Sequence, residues 1–115
     1  MDIEISQNGS CLIAALSGEL DQHMADAIRG RMDYGLLQAG IKNMVFDFTE
    51  VSFMDSSGIG MLLNRYKQVR KLGGNLYLTG CNQNLFRLIK LSGLERIVLL
   101  RDSIEEAILE ANNEK

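Results

Sequence analysis

Met44-Val45-Phe46-Asp47-Phe48, a short connection, and then Met54-Asp55-Ser56-Ser57-Gly58-Ile59-Gly60-Met61-Leu62-Leu63 carry the chain from one periodicity to another. The first stretch is short, apolar and aromatic, as a buried strand is. Beyond the turn, Ile59, Leu62, Leu63, Tyr66 and Val69 recur at helical steps and mark one face of an amphipathic helix. Gly73-Gly74 closes it. A strand running straight into a helix is half of a β-α-β unit, so the fold class depends on whether the pattern repeats.

It repeats on both sides. Upstream, Ile3 and Ile5 alternate with Glu4 and Ser6, and Asn8-Gly9 is the hairpin dipeptide that suits a type I′ turn. Cys11 to Leu16 is then an apolar run of strand length. From His23 to Leu37, Met24, Ala25, Ile28, Met32 and Leu36 share one helical face, with Asp21 placed to cap the first amides and Gly40 to stop the helix. Downstream, Leu76 to Thr79 is a strand. Leu85, Phe86, Leu88, Ile89 and Leu91 form a shorter helix ending near Gly93, and Ile97 to Leu100 is a fifth strand. Ser103 and Glu106 have capping-box spacing before a last helix through Ile104, Ala107, Ile108 and Ala111. The polar tail 112–115 is expected to fray.

The order β-β-α-β-α-β-α-β-α predicts a single α/β domain over residues 1–115. Its mixed sheet pairs the opening hairpin antiparallel and the remaining strands parallel through right-handed crossovers, under a cover of amphipathic helices. A chain of 115 residues is of one-domain length and buries enough surface for one core without staples. No proline is present, so no helix kinks at one.

Composition narrows the function classes. A net charge of -3 and a pI near 5.1 argue against nucleic-acid binding. Arg65, Lys67, Arg70 and Lys71 are the densest basic group and read as a solvated helix face. Cys11 and Cys81 lack zinc or disulfide spacing and are expected to be buried free thiols. Neither a signal peptide nor a run of ~18 apolar residues is legible, which predicts a cytoplasmic protein with no membrane partner.

Catalytic signatures are missing. His23 is the one histidine, no G-x-S-x-G surrounds any serine, and Gly58-Ile59-Gly60 falls short of either phosphate-loop pattern. No cofactor, no metal site and no enzymatic activity are expected. The Asp55-Ser56-Ser57-Gly58 turn carries more information. A helix opening there leaves amides without intrahelical acceptors at the positive end of the helix dipole, which suits a phosphate carried on serine. Asp, Ser and Gly are also ordinary capping residues, and composition alone favours capping.

Phe53 to Gly60 followed by Asn64-Arg65-Tyr66-Lys67 resembles the phosphorylation segment of bacterial anti-sigma factor antagonists, which are free-standing STAS domains. Ser17-Gly18-Glu19-Leu20-Asp21 resembles their Gly-Glu-Leu-Asp segment, and Leu91-Ser92-Gly93-Leu94 the segment closing their third helix. The likeness runs along essentially the whole chain. It implies a partner switch in which the unmodified protein binds an anti-sigma factor that is also a serine kinase and so frees the sigma factor. Phosphorylation of Ser56 ends that binding, and a separate serine phosphatase restores it. Ser57 is the neighbouring alternative acceptor.

The resemblance also places partner contacts at Glu19, Asp21 and His23, where Gln22 stands in place of a second histidine that relatives often have. Around the acceptor it implicates Met54, Asp55, Ser57, Gly58, Ile59 and Gly60, with Met54 and Ile59 open to either interface or core. A monomer is expected for the free protein. The alternative is a STAS-type binding module of a stressosome-like or lipid-transport assembly, without phospho-switching. From another class, a small hydrolase or nucleotide-binding enzyme has only the glycines and the single histidine behind it.

Overall fold

The computed structural model describes residues 2–113. Its elements are β1 (Asp2–Asn8), β2 (Cys11–Leu20), α1 (Gln22–Gly35), β3 (Asn43–Met54), α2 (Ser56–Lys71), β4 (Leu76–Thr79), α3 (Gln83–Ser92), a short 3-10 turn (Leu94–Arg96), β5 (Leu99–Arg101) and α4 (Ile104–Asn113). The sheet has five strands in the order β1-β2-β3-β4-β5. β1 pairs antiparallel with β2, and the pairs β2–β3, β3–β4 and β4–β5 are parallel. The expected mixed sheet and element order are both present.

Strand alternation sorts the core into two layers. Leu12, Ala14, Leu16, Met44, Phe46, Phe48, Leu76 and Leu78 point to one face and pack with Met24, Ile28, Leu62, Val69, Leu85 and Ile89 of α1, α2 and α3. Cys11, Ile13, Val45 and Tyr77 point to the other face, where Ala107 and Ala111 of α4 cover them. The cause is topological. Crossovers of one hand between strands added sequentially in one direction all return on the same face, so α1 to α3 share it. α4 follows the last strand and covers the face left over.

Several local expectations are corrected. Asn8 pairs with Cys11, so the hairpin loop is Gly9-Ser10 rather than Asn8-Gly9. Gly9 has φ +58° and no non-glycine residue among those described has positive φ, the pattern of a II′ turn with glycine first. α1 ends at Gly35, short of Gly40. β3 continues well beyond Phe48 to Met54. Residues 94–96 form a 3-10 turn, and the fifth strand shifts to Leu99–Arg101.

Residues 112 and 113, expected to belong to a frayed tail, continue α4. Asn112 lies within α4, its Oδ1 accepts from the Ser10 amide at 2.8 Å, and its Nδ2 donates to the Asn8 carbonyl at 3.3 Å. Buried Asn43 braces the same corner, donating to Ser10 Oγ at 2.9 Å and accepting from the Asn75 amide at 2.8 Å. Residues 114 and 115 lie outside the described residues. The basic group of α2 is also not wholly solvated: Arg65 is 4% exposed.

Candidate functional site

Parallel pairing of β2 with β3 sets the site. Leu20 is opposite Met54, so the two strands end side by side and deliver their strand-to-helix turns to the same end of the sheet. Ser17-Gly18-Glu19-Leu20-Asp21 and Met54-Asp55-Ser56-Ser57-Gly58, distant in sequence, become neighbours. The Asp55 amide donates to the Leu20 carbonyl at 3.4 Å, and Ser57 Oγ donates to Gln22 Oε1 at 3.0 Å.

Each turn is built on a capping aspartate in extended backbone. Asp21 Oδ1 accepts from the Met24 amide at 3.0 Å, and Asp55 Oδ1 accepts from the Ser57 amide at 2.8 Å. The aspartates thereby satisfy amides that would otherwise lack acceptors. Ser56, the first residue of α2, is left with its side chain exposed, and its hydroxyl has no hydrogen-bond partner among the described residues. Ser57 is half-buried and engaged with Gln22. Of the two serines, Ser56 has the freer hydroxyl.

The flanking residues divide cleanly. Met54 is 6% exposed and Gly58 is buried, and a Cβ on Gly58 would overlap the Met54 side chain and crowd Leu20. Both belong to the seam between β2, β3 and α2, which puts Met54 on the core side of its two readings. Ile59 is half-buried and packs against the core. Glu19, His23 and Gly60 are exposed, and Asp21 and Asp55 are half-buried. A Cβ on Gly60 would meet nothing within 4 Å, so packing within the chain gives no reason for glycine there.

Two participants carry no sequence signal for their roles. Gln22 stands out only as a departure from the resemblance, yet it ties α1 to Ser57. Phe53 is 50% exposed beside the site. Its direction follows from irregular pairing: Gly18 opposes Val51, Glu19 opposes Phe53, and Ser52 is skipped. Such a bulge re-aims the side chains beyond it. Nothing local in Val51-Ser52-Phe53 announces it.

The cysteines are poor nucleophiles. Burial pushes the Cys81 thiol up to about 11, and burial likewise raises Cys11, with the Ser10 hydrogen bond partly opposing it. Cys11 is buried as expected, whereas Cys81 is half-buried. Among the described residues no cluster of His, Cys, Asp and Glu could hold a metal ion, and no helix is long and apolar enough to cross a membrane.

The fold has known counterparts along almost the whole chain. The profile of the STAS domain matches residues 2–107. The chain belongs to the STAS-domain family. An anti-sigma F factor antagonist of Paenibacillus polymyxa is 36% identical over 110 residues, covering 96% of this chain and 94% of that protein. The anti-sigma-B factor antagonist of Bacillus subtilis is 30% identical over 98 residues, covering 85% and 88%. Among solved structures, the Bacillus cell fate determinant SpoIIAA in its phosphorylated form superposes with a TM-score of 0.75 at 26% identity, covering 95% of this chain and 98% of that one. Both curated relatives are antagonists of anti-sigma factors.

Proposed function

We propose that this protein is an anti-sigma factor antagonist whose unmodified form binds an anti-sigma factor that is also a serine kinase, and that phosphorylation of Ser56 abolishes the binding. A serine phosphatase would return it to the active form. The observation that carries the reading is the state of Ser56. Its hydroxyl is exposed and unengaged at the opening of α2, because Asp55 already performs the capping. The beginning of α2 lies against the turn that carries Glu19 and Asp21, so a partner docking on one turn also covers the other. The names of the curated relatives and the phosphorylated SpoIIAA structure point the same way.

The chemistry needs no refolding. A phosphoryl group on Ser56 adds roughly -1.5 to -2 charges at pH 7 and stands where the first amides of α2 favour an anion. It also stands beside Asp55, so a partner face shaped for a neutral hydroxyl meets charge that it must desolvate. Mispairing a buried interface group costs about 2–5 kcal/mol, a loss of roughly thirty- to several-thousand-fold in affinity. Ser56→Ala is expected to bind the kinase constitutively and Ser56→Asp to bind poorly, as read by calorimetric titration. Equal affinities for the two variants would sink the proposal. Mass spectrometry after incubation with the kinase and ATP should place the phosphate on Ser56 and not on Ser57.

A further inference from the structure

The two turns meet through side chains as well as strands, and the two serines of the second turn meet the first unequally. Ser57 is held from both sides. Its amide donates to Asp55 Oδ1 at 2.8 Å, and its hydroxyl donates to Gln22 Oε1 at 3.0 Å. Gln22 is itself oriented: its Nε2 donates to Asp26 Oδ1 at 2.9 Å, one turn further along α1. Arg29 Nη2 lies 3.4 Å from the same oxygen. An ionised carboxylate only accepts, so the carboxamide turns its nitrogen to Asp26 and its oxygen to Ser57. Ser57 can meet that oxygen only as a donor. Ser56, one residue earlier, is exposed and has no such tie.

We propose that Gln22 is a positioning residue that withholds the Ser57 hydroxyl from phosphoryl transfer and so helps to confine the modification to Ser56, a role that rests on the Ser56 switch. In the transfer, a serine Oγ bonds to the γ-phosphorus of ATP as the bond from that phosphorus to the leaving oxygen of ADP breaks. The hydroxyl proton passes to a carboxylate base of the kinase. A serine hydroxyl has a single proton to give. While Ser57 donates it to Gln22, none is offered to the base, and an amide oxygen is too weakly basic to take it instead. The same bond turns the Ser57 Oγ towards α1. Gln22 and Asp26 are exposed in the free protein, so water competes for their bonds. A partner that covers both turns removes that water and strengthens them. The bond from Ser57 to Gln22 joins two neutral groups, which sets the discrimination it adds at about two- to tenfold, alongside the greater exposure of Ser56.

The test is phosphosite mass spectrometry over the first turnovers after adding the anti-sigma kinase and ATP. Gln22→Met keeps the length of the side chain and deletes its acceptor. It should raise the ratio of initial rates at Ser57 and Ser56 about two- to tenfold. Because both serines stand on one turn, the ratio cancels any change in docking. In the Ser56→Ala protein, adding Gln22→Met should speed phosphorylation of Ser57 by the same factor. Asp26→Ala frees the carboxamide to rotate and should act in the same direction by a smaller factor. Without any kinase, the three-bond Hα–Hβ couplings of Ser57 should report one rotamer in the parent and averaging in Gln22→Met. Phosphate on Ser56 with the ratio unmoved by Gln22→Met, or a Ser57 side chain already averaging in the parent, overturns the role of Gln22 and leaves the switch standing. A parent that takes no phosphate on Ser56 overturns the switch itself, and this role with it.

Discussion

The turn from β2 into α1 and the turn from β3 into α2 are built alike and behave differently. Each has an aspartate in extended backbone accepting a hydrogen bond from an early helix amide. After Asp21 come Gln22 and His23, both exposed. After Asp55 come an exposed serine, a serine bonded to Gln22, and a glycine clamped against Met54 and Leu20. Capping explains the aspartate in both turns and leaves Ser56 unexplained in one. What a strand-to-helix junction needs is present in both turns, and what has been added is confined to the second.

The largest expected effect on stability tests the clamp. Gly58→Ala should destabilise the domain by about 1–3 kcal/mol, because a methyl must displace Met54 in a packed seam. Gly60→Ala should do the opposite, raising stability by up to about 1 kcal/mol through helix propensity, since its Cβ enters open space. Urea unfolding of both variants checks the pair. If Gly58→Ala proves neutral, the junction is less tightly packed than the geometry implies. If Gly60→Ala also impairs kinase binding, the second glycine serves the partner and not the fold.

Next in size are the caps. Asp21→Ala and Asp55→Ala should each cost about 1 kcal/mol, with hydrogen exchange quickening in the first turn of α1 and α2 respectively. A much larger loss for Asp55 alone would break the likeness of the two turns. The bond between them is weaker. Ser57→Ala and Gln22→Ala should show a coupling of about 0.5–1 kcal/mol in a double-mutant cycle, and additive effects would mean that the exposed bond contributes nothing.

Much of this comparison is readable in the sequence, for identifiable reasons. Asp21 before Met24-Ala25 and Asp55 before Ser57-Gly58 are local signals, and so is the alternation that buries Phe46 and Leu78 on one face and Val45 and Tyr77 on the other. Ser56 as a phosphate acceptor is implied by the resemblance alone; the structure adds that its side chain is exposed. What is not readable depends on residues far apart. The one-residue shift of the hairpin to Gly9-Ser10 follows from pairing with β2, and Asn112 is ordered by Ser10 and Asn8 across the molecule. Arg65 sits within a basic run that looks solvated, yet the approach of α1 buries it. Phe53 faces outward because of a bulge that only the partner strand reveals.

The smallest effect supplies a control remote from both turns. Arg101 of β5 holds Glu110 of α4 through two hydrogen bonds of 2.8 Å. The Arg101 hydrogen bond is the main cause that keeps the Glu110 carboxyl below its ordinary value, with burial opposing and Tyr77 assisting. A depressed folded value means that the unfolded chain takes up the proton first as pH falls. The pair's contribution is therefore complete above the ordinary carboxylate range and is lost as pH drops through the folded value. The pair is partly exposed, with side chains at 26% and 36%, so solvent screening keeps the effect to about 0.5–1 kcal/mol. Glu110→Gln should remove that share of the acid dependence in urea unfolding while the amides at Asp21 and Asp55 keep their shifts. Movement at either turn would mean that the α4 face and the end of the sheet that carries the two turns are coupled, although α4 packs on the opposite side of the sheet from α1 and α2.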